Sequence, residues 1–179
     1  GHGTDRALVA GLLGMQPDDL RIPRAAREAE KAGLTVTIDT VDLREAHPNT
    51  AVLSLRAANG KRLEIQACSL GGGRIMVNKL DGIEVSFTGA FNTLVVRSRD
   101  VSGVVSGVTS ILYQAGVNVA NMSVCRPRRG ADLLMVIEVD EHLKQSQVAF
   151  LGELPHVLSV TYYDKGEEDD GAGFDEGDL

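Results

Sequence analysis

NTLVVRSRDVSGVVSGVTSILYQAGVNVANMSVCRPRRGADLLMVIEVD, residues 92–140, sets the architecture of the second half of this chain. Residues 92–99 read as a strand. Residues 101–115 place Val104, Val108, Ile111 and Leu112 on one helical face, and Gly116 stops the helix. Residues 117–126 and 131–140 are strands on either side of the turn-rich stretch 127–130. Beyond the quoted segment, residues 145–154 are helical through Val148, Leu151 and Leu154, and residues 157–164 form a last strand. The order β-α-β-β-α-β predicts a ferredoxin-like arrangement. Each helix then lays its apolar stripe on one face of a four-stranded sheet.

Upstream, Thr4 or Asp5 is placed to cap a short helix carrying Leu8, Leu12 and Leu13, closed by Gly14. Pro23 opens a second helix through Ala32, ended by Gly33. Residues 34–41 alternate apolar Leu34, Val36 and Ile38 with Thr35, Thr37 and Asp39, the pattern of a half-buried strand. Residues 50–57 and 62–70 flank Asn59-Gly60, a two-residue hairpin signal. Residues 74–79 and 83–88 continue as strands joined at Asp81-Gly82. The expected fold class is therefore α+β, with helices and a mostly antiparallel sheet ahead of the β-α-β-β-α-β unit. The boundary is expected near Gly89 and Ala90. The stretch after Asp164 is acidic and glycine-rich and reads as a disordered tail.

The net charge of −7 and pI near 5.1 oppose a nucleic-acid surface, which needs clustered Lys and Arg. Arg126, Arg128 and Arg129 form only a short run and read as a solvated loop. The longest apolar runs fall far short of the roughly 20 residues that cross a bilayer. The two cysteines, Cys68 and Cys125, each lie inside an expected strand, and core packing is the first reading of both. An iron–sulfur cluster usually takes four thiolates, more than the two cysteines of this chain can supply. Gly71, Gly72 and Gly73 sit between strands with no Gly-Lys-Ser/Thr following. They read as a bend or bulge, not a phosphate loop.

A ferredoxin-like fold hosts many functions. Four strings are more informative: GHGTDRALVAGLLG from residue 1, HPNT at 47–50, SLGGG at 69–73, and DVSGVVSGVTSILYQAGVNVANMSV at 100–124. In this order and spacing they resemble the β subunit of iron–sulfur-dependent L-serine dehydratases. The resemblance covers nearly everything from Gly1 to Asp164, and the fourth string is similar to ACT domains generally. It implies residues 1–89 as a partial α/β domain akin to the allosteric-substrate-binding domain of phosphoglycerate dehydrogenases. An ACT domain at 90–164 and the acidic tail at 165–179 follow. Relatives carry a Ser-Ser-His-Thr segment ahead of GHGTD, so the resemblance also implies an amino-terminal truncation.

For function, the resemblance implies a cytoplasmic lyase of amino-acid degradation and gluconeogenesis that turns L-serine into pyruvate and ammonia. Its 4Fe–4S cluster, a Lewis acid toward the serine hydroxyl, would be held by a partner α subunit. This chain would contribute no metal ligand and would be inactive alone. His2, His47 and Asn49 would be catalytic, and Thr4, Asp5, Thr50, Gly71 and Gly72 would bind substrate. Read from the residues alone, His2 orienting the chain before a helix is the less favoured alternative, whereas His47 can equally be a loop residue and Asn49 a turn residue. In the ACT half, Asp100, Gly103 and Asn118 are the expected effector residues. Exposed amides at a first helical turn suit a carboxylate. Ser102 departs from the proline common in serine-sensing relatives, and capping by Asp100 with close packing at Gly103 is the competing reading. ACT domains also self-associate edge to edge. The rival to an enzyme subunit is a free-standing amino-acid-sensing ACT module.

Overall fold

The structure is a computed structural model that describes residues 3–44 and 46–166. His2 lies outside the described residues. So does the expected tail, apart from Lys165 and Gly166. The chain divides into two compact units, residues 1–45 and 46–179.

The first unit is helical. α1 spans Thr4–Leu12 and α2 spans Ala25–Lys31, the latter entered through a 3₁₀ turn at Ile22–Arg24. Pro23 suits that entry because its fixed φ is already helical and its missing N–H would be unpaired there anyway. Thr4 and Asp5 do not cap α1. Gly3, at φ 80, occupies the cap position, and both residues fall inside the first turn. The buried contact also differs from the expected leucine stripe. Val9 and Ala10 meet Ala25 and Ala29, with Leu13 beside them and Leu12 exposed. Small side chains at the crossing let the two helix axes approach closely.

Residues 34–41 form no strand. Alternation makes such a segment amphipathic, but a strand also needs a neighbour to take its N–H and C=O groups. Among the described residues this unit holds no other strand, and Val36, Ile38 and Val41 are exposed.

The second unit contains two antiparallel sheets. The first is a meander of β1 (Thr50–Arg56), β2 (Arg62–Gly71), β3 (Arg74–Leu80) and β4 (Ile83–Phe87), paired in that order. The β1–β2 connection is longer than Asn59-Gly60 suggested. Ala57 N–H bonds the Lys61 carbonyl and Gly60 N–H bonds the Ala57 carbonyl, which makes a three-residue loop. Of those loop residues Gly60 alone has positive φ, so the primed two-residue turn does not form. The β3–β4 connection does take that form, with Asp81 at φ 49 and Gly82 at φ 76 between the paired Leu80 and Ile83.

β5 (Asn92–Arg99), α3 (Val104–Gln114), β6 (Val119–Cys125), β7 (Asp132–Val139), α4 (Gln145–Gly152) and β8 (Val157–Tyr163) build the second sheet in the order β6-β7-β5-β8. That is the ferredoxin-like β-α-β-β-α-β order the sequence predicts, and the fold is α+β. Its helices pack one face through Val104, Val108, Leu112, Val148 and Leu151. The strand β7 is apolar on both faces. Leu133, Met135, Ile137 and Val139 join the helix-side core, while Leu134 and Val136 join Val77, Leu80 and Val85 of the first sheet. The uninterrupted apolar run of β7 thus reflects a strand covered on both sides. Both sheets therefore share one compact unit, and the connection at residues 88–91 lies between them.

Two polar links reinforce that face. Arg97 of β5 pairs with Asp81 at the β3–β4 turn. Glu138, only 5% exposed, accepts from the Asn121 amide at 2.9 Å and from the Thr88 N–H at 3.5 Å. No helix among the described residues is long and apolar enough to cross a membrane.

Candidate functional site

At one end of the first sheet the HPNT and SLGGG strings meet. Thr50 is in register with Cys68, and the Ser69 N–H donates to the Asn49 carbonyl at 2.9 Å. Within the HPNT turn, the Asn49 N–H donates to His47 Nδ1 at 3.2 Å. The Thr50 hydroxyl donates to the His47 carbonyl at 2.6 Å. The imidazole of His47 and the side chain of Asn49 are exposed, and Thr50 is half-buried. Ser69 adds a further link, its Oγ accepting from the Gly71 N–H at 3.4 Å.

The glycines behind this loop are required by backbone conformation. Gly71, Gly72 and Gly73 have φ of 84, 60 and 76, and a register shift between Ser69 and Gly71 marks a bulge. A Cβ at any of the three would meet nothing within 4 Å. Space is therefore open, and the strain of a positive φ alone selects glycine.

Thr4 and Asp5 lie in the helical unit, exposed on the first turn of α1. Asp5 stands favourably near the positive end of the helix dipole. With Arg6, Glu30 and Thr35 it lines an open cleft of about 580 Å³ whose apolar side includes Val9 and Leu34.

In the second sheet, Asp100 does not cap α3. Its carboxylate accepts from Arg126 at 2.7 Å and from the Gly130 N–H at 3.4 Å, tying the β5–α3 turn to the β6–β7 loop. The Arg126 guanidinium, aided by the Gly130 N–H and opposed by partial desolvation, holds the Asp100 carboxyl below its ordinary range. Arg126, Arg128 and Arg129 lie in an exposed loop, as expected, and Arg126 in addition pairs with Asp100. α3 begins at Val104, three residues after the expected start, with Gly103 at φ 90 in the cap position and no side chain capping the first turn. Those amides remain available.

Asn118 stands elsewhere. Its N–H donates to Glu141 at 2.6 Å and its side-chain amide donates to Asp140. Asn92 and Val119 both pair with Val139, whereas Arg99 pairs with Asp132. Asn118 and Asp100 therefore occupy opposite ends of the sheet within one chain. Sequence reasoning missed Ser69, Arg126 and Glu138 as partners. Ser69 and Glu138 act across paired strands and Arg126 across two loops distant in the chain, and no local pattern marks such contacts.

Cys68, 5% exposed, sits in β2, and Cys125 packs in β6 beside the inter-sheet core, both as free thiols. They lie in different sheets. No three His, Cys, Asp or Glu side chains converge as a metal site among the described residues. Two thiols in a chain with only two do not fit the four-thiolate set of a 4Fe–4S cluster.

The fold and a match of residues 92–149 to the ACT-domain family model place an ACT domain in the second half. The chain is 35% identical over 161 residues to the probable L-serine dehydratase beta chain of Bacillus subtilis (strain 168), covering 90% of this chain and 73% of that protein. It is 33% identical over 154 residues to the L-serine dehydratase beta chain of Peptoniphilus asaccharolyticus, covering 85% of this chain and 69% of that one. A shorter likeness, 29% over 86 residues, links 48% of this chain to 16% of the D-3-phosphoglycerate dehydrogenase of B. subtilis. The chain belongs to the L-serine dehydratase beta-chain family.

Proposed function

We propose that this chain is the beta subunit of a two-chain enzyme that converts L-serine to pyruvate and ammonia, and that it is inactive alone. The observation that carries this reading is the meeting of the HPNT and SLGGG strings, joined by the Asn49–Ser69 bond. With the GHGTD string they carry the specific part of the resemblance, and a shared location is what a site demands of such strings. Dehydration of serine gives an enamine, whose tautomer takes up water to release ammonia and leave pyruvate. His2, His47 and Asn49 are assigned as the catalytic set facing the substrate. Thr4, Asp5, Thr50, Gly71 and Gly72 are assigned to holding it.

The 4Fe–4S cluster is assigned to the partner alpha subunit, because the two cysteines of this sequence fall short of the usual four thiolates. We further assign residues 1–89 to substrate-site construction, 90–164 to regulation as an ACT domain, and the remainder to an acidic tail. Asp100, Gly103 and Asn118 are the proposed effector residues. Since the first two lie far from Asn118 in one chain, an effector touching all three would sit between two self-associated ACT domains. The enzyme is assigned to the cytoplasm.

Pyruvate formation from L-serine by the purified chain, by its alpha partner reconstituted without oxygen, and by their mixture tests the reading. Only the mixture is expected to react, and His2→Ala is expected to lower its rate by about 10²-fold or more, the scale of a lost acid–base group. A mixture without activity, combined with L-serine binding to this chain alone that Asn118→Ala abolishes and His2→Ala spares, would instead identify a free-standing sensor.

A further inference from the structure

The turn around His47 restricts what its ring can do. A neutral imidazole carries one N–H and one acceptor nitrogen. The Asn49 N–H, which can only donate, lies 3.2 Å from Nδ1. Nδ1 therefore accepts, and the ring proton resides on Nε2. The Thr50 hydroxyl lies 2.6 Å from the His47 carbonyl. A carbonyl can only accept, so the single hydroxyl proton of Thr50 is committed there and fixes the peptide that bears the ring. The Ser69 N–H, bonded to the Asn49 carbonyl at 2.9 Å, anchors the same turn to β2. His47 is exposed, so Nε2–H is open to a group from outside the chain.

We propose that His47 binds the substrate carboxylate as a fixed hydrogen-bond donor and does not remove the α proton. Thr50 and the Asn49 N–H are the positioning groups that impose this role. A base at Nε2 needs the ring proton on Nδ1, where it would confront the Asn49 N–H donor to donor. Of the polar groups of a hydroxy amino acid, the ammonium only donates and the hydroxyl does both. The carboxylate only accepts, and it is the match for an obligate donor. Thr50 is then not a substrate ligand through its proton, although its turn holds the residue that is. His47 in this role presupposes the serine-deaminating reading above, but the ring tautomer does not.

Two measurements separate those parts. Nitrogen NMR of the full chain labelled at its four histidines, with His47 assigned through His47→Gln, should show the Nε2–H tautomer above neutral pH. Thr50→Val should mix the tautomers, and Thr50→Ser should restore the single form. A dominant Nδ1–H form in the unaltered chain overturns the proposal without touching the family reading.

In the assembled two-chain enzyme, His47→Ala should lower kcat/KM for L-serine about tenfold, mainly through KM. His47→Gln, which keeps an N–H donor but cannot titrate, should recover most of that loss. A fall of about 10²-fold or more in kcat for both variants, the mark of a lost base, overturns the donor assignment. Failure of the unaltered assembly to deaminate serine removes the carboxylate assignment together with the reading it presupposes, and leaves the tautomer to the NMR result alone.

Discussion

Replacing Leu134 with alanine tests the packing between the two sheets of the second unit. Leu134 lies on β7, is 2% exposed, and faces Val77, Leu80 and Val85 of the first sheet, away from the helices. Three carbons leave a site closed on both sides. At about 0.8 kcal/mol per buried methylene, transfer alone costs about 2.5 kcal/mol. The cavity adds to this, since Leu→Ala changes in cores cost about 2–5 kcal/mol. A loss of about 3 kcal/mol is the expected value, equivalent to a fall of about 6–12 °C in melting temperature for a chain of this size. Urea unfolding followed by circular dichroism, with hydrogen exchange at the β7 amides, would measure it. Tyr113→Ala, at a side chain 83% exposed, is the control and should change stability by about 0.5 kcal/mol or less. If Leu134→Ala were as mild as the control, the second face of β7 would be open to water and the two sheets would not pack.

Three further outcomes follow from the same geometry. Asp100 has a depressed pKa in the folded chain, so its stabilising contribution is full above the ordinary carboxylate value of about 3.9 and is lost as pH falls through the lowered one. Arg126→Ala should move the carboxyl carbon titration of Asp100 upward, and an unmoved titration would deny the pair. Gly73→Ala should cost about 1–2 kcal/mol from its left-handed backbone alone, since the added methyl meets open space. A neutral result in urea unfolding would mean the turn relaxes. Glu138→Ala leaves the Asn121 amide and the Thr88 N–H without their carboxylate. The expected loss is about 1–3 kcal/mol, with faster hydrogen exchange at Thr88 as its local sign.

Much of this fold was legible in single stretches. The β-α-β-β-α-β order follows from helical spacing in Val104, Val108 and Leu112 and from Gly116 closing the first helix, and the helix-side core uses those residues. Asp81-Gly82 gave its turn because both positions accept positive φ. Asn59-Gly60 did not, since a three-residue loop with Gly60 alone in that conformation suited the β1–β2 register better. Residues 34–41 carried a strand pattern and no strand, because alternation specifies which side is apolar and cannot supply a partner. Of the candidate site, the strings themselves were visible. Their junction, and the engagement of His47 by Asn49 and Thr50, were not.

Local chemistry along the chain was enough to name the elements, the fold class and the residues worth testing, because periodicity, turn glycines and short motifs act over a few neighbouring positions. Folding in three dimensions settled the rest. It placed Asn49 beside Ser69, Asp100 beside Arg126 and Asn118 at the far end of the sheet, and covered both faces of β7. Strand register and sheet stacking join residues distant in the chain, and the groups that make those contacts leave no periodic trace in the order of amino acids.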